Sequence, residues 1–113
     1  MDAAELAFSG IHRQAEALRA GEVSSTDLVA MYLERIGRFD GELNAFRIVL
    51  GERARAEAAA ADRRIAAGET APLLGVPVAV KDNVDVAGEL TTLGTDAFDR
   101  PAAADAAHYR RLR

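Results

Sequence analysis

Hydrophobic positions near the start of the chain repeat at the spacing of an α-helix. Ile11, Ala15 and Leu18 follow one another at i, i+4 and i+7, which predicts that they form the inward stripe of a first helix. We expect that helix to end at Arg19-Ala20, because the next residue, Gly21, readily takes the left-handed conformation that terminates many helices.

The next apolar stripe predicts a second helix, which begins after Ser24 and ends near Asp40-Gly41. Ser24 and Asp27 have the spacing of a capping box, in which side chains and backbone N–H groups bond reciprocally, although Glu or Gln is more usual than Asp at the second position. Five large side chains are then predicted to share one helical face: Leu28, Met31, Tyr32, Ile36 and Phe39.

Apolar runs bounded by turn residues predict two β-strands farther along the chain. The first covers Leu43 to Leu50, with Phe46 and Ile48 on one face, and the second is the β-branched run from Val76 to Val80. Residues 52–67 lie between them and are rich in Ala, Glu and Arg. That composition predicts a helix with little large apolar surface.

This order of elements predicts an α/β fold. The helical region covers about residues 1–41, and the start of a sheet and a last helix from around Ala103 lie within about residues 42–113. We expect all 113 residues to be part of one domain. Two strands alone do not make an independently stable sheet, so the missing strands are expected from further chain or from a partner.

The composition narrows the possible functions. A net charge of −4 argues against nucleic-acid binding, and the absence of Cys excludes thiol chemistry. The two His residues lack ligand spacing and no glycine-rich phosphate motif is present, so we expect no metal and no cofactor. Without a long apolar run or a basic leader, the chain is expected to be cytoplasmic and free of membranes.

Lys81 ends the second predicted strand and is the main candidate for chemistry. A lysine in such a place is commonly a solvated strand end or the partner of a carboxylate, here Asp82 or Asp85. The alternative is a general base, because ligands bind at the carboxyl ends of strands in open α/β sheets. Burial makes the neutral form of a lysine accessible near neutral pH. The residue types alone leave both interpretations open.

The nine residues at positions 75–83, G-V-P-V-A-V-K-D-N, resemble the lysine motif of the amidase signature family. Further stretches resemble the family in the same order along nearly the whole chain: Gly21–Ser25, Leu33–Ile36, Leu43–Phe46, Asp62, Pro72–Leu74, Gly88, Thr91, Thr92, Gly94, Asp105 and Arg111–Arg113.

The resemblance implies an amidohydrolase built on an α/β/α mixed sheet. In that family a Ser–cis-Ser–Lys triad hydrolyses amides, and Lys81 matches the lysine, which acts as base. The family's two serines have no match here, since the N-terminal serines are better explained as helix caps. We therefore expect the intact protein to cleave a small-molecule amide and the 113-residue chain alone to be inactive. Thr91, Thr92 and Gly94 match a loop near the family's substrate entrance and are candidate substrate contacts.

Two other functions fit the same residues. The intact protein could be the amidase subunit of a tRNA-dependent amidotransferase, which passes ammonia to a partner subunit. The chain could instead be a truncated, non-catalytic module that persists by association, as a homo-oligomer or with the remainder of the same protein. Exposed apolar surface and unpaired strand edges would favour that association.

Overall fold

The computed structural model of the protein describes residues 2–113, and its regular elements are helices: α1 (Ala3–Phe8), α2 (Gly10–Ala20), α3 (Ser25–Leu43), α4 (Gly51–Ala66) and α5 (Ala107–Leu112). The chain divides into two compact units, Met1–Pro77 and Val78–Arg113. The first unit contains α1 to α4, and the second contains α5 and the loops that follow Lys81. Over residues 2–113, no helix has both the length and the apolar character needed to cross a membrane.

A buried amide joins the first three helices. Gln14 of α2 is 4% exposed, and its Nε2 donates to the carbonyl of Leu6 at 3.0 Å and to the hydroxyl of Tyr32 at 2.6 Å. The Tyr32 hydroxyl in turn donates to the carbonyl of Ala7 at 3.2 Å. A buried amide without partners costs free energy, so these bonds favour one arrangement of α1, α2 and α3.

The buried face of α2 differs from the predicted stripe at one position. Ala15 and Leu18 are buried as expected, whereas Ile11 is 52% exposed. The prediction for Ile11 is wrong because the inward position at this end of the helix belongs to the polar Gln14, which apolar periodicity does not reveal.

Both predicted helix boundaries around residues 21–27 are confirmed. Gly21 ends α2 with φ of 69°, and Ser24 and Asp27 form the two reciprocal bonds of a capping box at the start of α3. At its other end α3 continues to Leu43, beyond the predicted end at Asp40-Gly41. There the Asp40 carboxylate accepts backbone N–H groups of the departing chain, Ala45 at 2.7 Å and Phe46 at 3.2 Å.

A carboxylate of α4 caps the N-terminus of α3. Asp62 Oδ1 accepts the N–H of Ser25 at 2.7 Å, and Oδ2 accepts the N–H and the hydroxyl of Thr26 at 3.1 and 2.6 Å. The first N–H groups of a helix lack intrahelical acceptors, and the positive end of the helix dipole favours an anion. Burial raises the pKa of Asp62, but the Thr26 hydroxyl and the two backbone bonds outweigh it and hold the pKa below its usual 3.8.

Gly75 packs where the N-terminus of α3 meets α2 and α4. The Ser25 hydroxyl donates to the Gly75 carbonyl at 2.7 Å, and Gly75 has φ of 84°. A Cβ on Gly75 would lie 3.2 Å from Cβ of Ser25, 3.3 Å from Cδ1 of Ile65 and 3.4 Å from Cδ1 of Leu18. Both the backbone conformation and the space therefore favour glycine here.

The predicted start of a sheet is wrong for the described residues. Positions 44–50 and 76–81 form no strand, and Ile48, Val49, Val78 and Val80 are 43%, 45%, 49% and 38% exposed. Strands need neighbours that satisfy their backbone groups, and no strand is available to pair with either segment within residues 2–113. The apolar pattern makes these segments candidates for strands, but pairing partners decide whether they become strands.

The last helix begins at Ala107, later than the predicted start around Ala103. Backbone groups before it are committed to tertiary contacts, because the Ala106 N–H donates to the carbonyl of Asp85 at 2.8 Å. The Asp105 carboxylate accepts the N–H of Ala87 at 2.8 Å. The helical pattern can therefore start only after these contacts.

We predict that Asp62→Ala destabilises the intact protein by about 1–2 kcal/mol at neutral pH, the usual cost of losing a helix cap. Asp62→Asn, which keeps the size but not the charge, should cost less. The pKa of Asp62 is lower in the folded protein than in the unfolded chain. The ionised carboxylate therefore stabilises the fold at pH values above its unfolded pKa, and this stabilisation is lost as the pH falls through its folded pKa. Thermal unfolding should therefore show the difference between wild type and Asp62→Asn narrowing below about pH 4. Equal melting temperatures at neutral pH would contradict this role.

Gly75→Ala and Gly68→Ala form a matched pair that separates strain from packing. Both glycines have positive φ, 84° and 85°, but a Cβ on Gly68 has no neighbour within 4 Å. We predict that each substitution costs about 1–2 kcal/mol for the left-handed conformation and that only Gly75→Ala adds about 1–3 kcal/mol for overpacking. Equal shifts in the melting temperature of the intact protein would show that the contacts of Gly75 tolerate a methyl group.

Candidate active site

Lys81 lies at the start of a tight turn in the second unit. Its carbonyl accepts the N–H of Val84 at 3.0 Å, and its side chain is exposed. Lys81 is also the only lysine of the 113 residues, and every other residue counted as Lys or Arg is arginine. Because arginine stays protonated under ordinary conditions, Lys81 is the one member of this group that could act as a general base.

Asp82, the next residue, connects this turn to a later part of the loop. Its Oδ1 accepts the N–H of Thr92 at 2.9 Å, and its Oδ2 accepts the Thr92 hydroxyl. The backbone carbonyl of Asp82 accepts the N–H of Leu93 at 3.1 Å. Three hydrogen bonds therefore hold the residue after Lys81 against positions 92 and 93.

The other candidate residues belong to the same loop. Thr91 is half-buried, and its hydroxyl donates to Asp85 Oδ1 at 2.6 Å. Gly94 is exposed with φ of 78°, and its N–H lies 3.4 Å from the Thr92 hydroxyl oxygen. The structure thus brings Thr91 and Thr92 to carboxylates close to Lys81 in the chain. Substrate contact by Thr91, Thr92 or Gly94 stays a prediction.

Two hydrogen bonds between backbone groups anchor the middle of the loop. The N–H of Gly88 donates to the carbonyl of Ala102, and the N–H of Ala102 donates to the carbonyl of Glu89, both at 2.9 Å. Val86, two residues before Gly88, is 8% exposed and is a buried apolar side chain of this unit. The loop is therefore ordered by hydrogen bonds more than by apolar packing.

The N-terminal serines act in the helical scaffold. The Ser9 hydroxyl donates to the Leu6 carbonyl at 2.9 Å, Ser24 caps α3, and Ser25 bonds Gly75. None of these contacts pairs a serine with Lys81. Within residues 2–113 no cluster of three or more His, Cys, Asp or Glu is arranged to hold a metal ion.

Sequence reasoning missed the connection between Asp82 and Thr92. Short polar residues after a strand are explained by local turns, and that explanation accounts for Asp82 without any partner ten positions away. The separation between the two residues gives no periodic signal. The remaining hint was the order Asp82, Asp85, Thr91, Thr92, in which two carboxylates precede two hydroxyls.

Comparison with known proteins adds evidence from sequence and structure. A family model described as Amidase matches residues 27–113. The chain is 50% identical over 113 residues to the protein assigned as amidase AmiB2 of Mycobacterium tuberculosis, covering all of this chain and 24% of that protein. It is 46% identical over 95 residues to a glutamyl-tRNA(Gln) amidotransferase subunit of Pelobacter propionicus, covering 84% of this chain and 19% of that protein.

A solved structure also matches the fold. It is an inhibitor-bound vestigial protein complex described as revealing the evolutionary origins of an s-triazine catabolic enzyme. The TM-score is 0.83 at 39% sequence identity, and the match covers 99% of this chain and 23% of that one. The chain therefore spans about a quarter of the length of the proteins it matches.

Proposed function

Because this chain belongs to the amidase family, we propose that the intact protein is an amidohydrolase that uses Lys81 as its base. Its substrate is a small molecule with a carboxamide group, and its products are a carboxylic acid and ammonia or an amine. The observation that supports this most directly is the family match across residues 27–113, which includes Lys81 and the segments before and after it.

The proposed reaction follows the Ser–cis-Ser–Lys scheme that the lysine motif suggests. The oxygen of one serine attacks the amide carbonyl, and its proton passes through the second serine to the neutral amine of Lys81. The C–N bond breaks and the leaving nitrogen takes up the proton. Water then hydrolyses the resulting ester and releases the acid. Residues 1–113 supply the lysine, so the proposal concerns the whole protein.

The environment of Lys81 sets a condition on this mechanism. Only the neutral amine of a lysine can accept a proton from serine, and removal of the side chain from water favours that neutral form. The Lys81 side chain is exposed in these 113 residues. The proposal therefore requires that other parts of the intact protein shield Lys81 from water.

We predict that Lys81→Ala in the intact protein lowers kcat for carboxamide hydrolysis by about 10²–10⁴-fold, the usual contribution of a general base. Lys81→Arg should be similarly impaired, because arginine keeps the positive charge but cannot take up the proton. Ammonia release from a set of simple carboxamides is the measurement, with circular dichroism as the control for folding. A Lys81→Ala protein as active as wild type would contradict the proposal.

The second candidate is the amidase subunit of a tRNA-dependent amidotransferase. It is favoured by the 46% identity to the Pelobacter propionicus amidotransferase subunit over 84% of this chain. The chemistry at Lys81 would be the same, but ammonia would pass to a partner subunit.

Isolation of the intact protein from its own cells separates these two candidates. An amidotransferase subunit should purify with a second protein in a fixed ratio, and that protein should increase ammonia release from glutamine. A hydrolase should purify without such a partner and turn over its amide at full rate alone. Mass spectrometry of the purified sample and an ammonia assay provide the two measurements.

A further inference from the structure

Lys81 depends on its backbone for its position. A lysine side chain is a flexible four-carbon stem, so the position of its amine depends on where the main chain of the lysine is held. Here the Lys81 carbonyl bonds the N–H of Val84 in a tight turn. A turn of this kind defines its own four residues but does not fix them relative to the rest of a loop.

Asp82 restrains this turn relative to the rest of the loop. Its carboxylate accepts both the N–H and the hydroxyl of Thr92, and its own carbonyl accepts the N–H of Leu93. The side chains of Asp82 and Thr92 are half-buried, and hydrogen bonds to a charged acceptor are stronger than neutral ones. Asp82, the residue after Lys81, therefore attaches this turn to positions 92 and 93, a later part of the loop.

The chain on the other side of this attachment is itself constrained. Leu93 has φ of 52°, a left-handed conformation that a leucine adopts only when its surroundings impose it, and Gly94 continues with φ of 78°. The Leu93 N–H that bonds Asp82 thus comes from a backbone held in one unusual conformation. Asp82 thus connects the turn that begins at Lys81 to the restrained backbone at Leu93 and Gly94. Lys81 is the residue immediately before this connection.

We propose that Asp82 is a positioning residue for Lys81, which acts by bonding Thr92 and Leu93 and so holding the turn from which the lysine extends. The proposal rests on the proposed function of Lys81 as base. Asp82 itself contacts neither substrate nor the reacting atoms in this account. Misplacing a catalytic group by about 1 Å can cost about 10²-fold in rate, which gives the scale of the expected effect.

The test uses kinetics of the intact protein on the carboxamide that wild type hydrolyses best. Asp82→Ala should lower kcat by about 10–100-fold and leave KM within about twofold, because the base is misplaced while substrate binding is unchanged. Asp82→Asn should retain most of the activity, since its amide can accept the Thr92 N–H and donate to the Thr92 hydroxyl.

Thr92 provides a second route to the same interaction. Thr92→Val should lower kcat by a smaller factor than Asp82→Ala, and Thr92→Ser should restore it because the hydroxyl returns. The double variant Asp82→Ala with Thr92→Val should be no slower than Asp82→Ala alone, because the two substitutions remove the same interaction between residues 82 and 92. Independent, multiplicative losses would overturn the proposal.

Asp105→Ala is the matched control. Asp105 is also a half-buried carboxylate of this unit that accepts a backbone N–H, from Ala87 at 2.8 Å, but it is not next to Lys81. If loosening of the unit explained the result, Asp105→Ala would lose kcat as Asp82→Ala does. The proposal expects Asp105→Ala to keep its kcat even if its melting temperature falls.

The outcomes separate this proposal from the proposed function. A wild-type protein without amidase activity, or an active Lys81→Ala protein, overturns both. An inactive Lys81→Ala protein together with a fully active Asp82→Ala protein leaves the function standing and removes the role of Asp82. If Asp82→Asn is as inactive as Lys81→Ala, the carboxylate acts directly and positioning is the wrong account.

Discussion

The carboxylate of Asp62 at the N-terminus of α3 is the contact on which the helical unit depends. It satisfies two backbone N–H groups that the helix cannot satisfy itself, and it does so from the neighbouring helix α4. Ser25, held by this bond, in turn uses its hydroxyl to hold the carbonyl of Gly75. One side chain thus fixes the pairing of two helices and, through Ser25, the course of the chain where the lysine motif begins. Burial raises the pKa of Asp62, but the hydrogen bonds that its carboxylate accepts from Thr26 and Ser25 lower it below its usual value.

Local signals in the sequence were sufficient to predict the end of α2 and the start of α3. Gly21 and the pair Ser24 and Asp27 act through neighbouring backbone groups, so the helix ends that they mark could be predicted from a few residues. Ile11 could not be placed correctly, because its exposure depends on Gln14 reaching α1 and α3. The two segments expected to be strands failed for a related reason: pairing is a property of at least two segments, and an apolar run reveals only one of them.

The candidate site divides in the same way. Lys81 was identified from a contiguous motif, and the match to the amidase family over residues 27–113 agrees with the family named from it. The bond between Asp82 and Thr92 spans a loop without regular structure, where neither period nor propensity carries information. Turn residues around Asp82 predicted a turn and nothing about its attachment. The catalytic candidate was therefore accessible to sequence reasoning, whereas the restraint beside it required the structure.

The alanine content of α4 has a consequence for how the fold tolerates change. Ala58 and Ala61 are 3% and 8% exposed, so the side chains that α4 buries at these positions are single methyl groups. Asp62 lies on the same helix, and its short side chain reaches the backbone of α3, so the two helices must lie close together where it bonds. A larger apolar residue at either alanine would add buried area yet move the two helices apart and break polar bonds that it never touches. The small residues Ala58 and Ala61 are thus required by the reach of the Asp62 carboxylate, not by apolar packing. A search for variants that improved apolar packing alone would replace them and lose these hydrogen bonds.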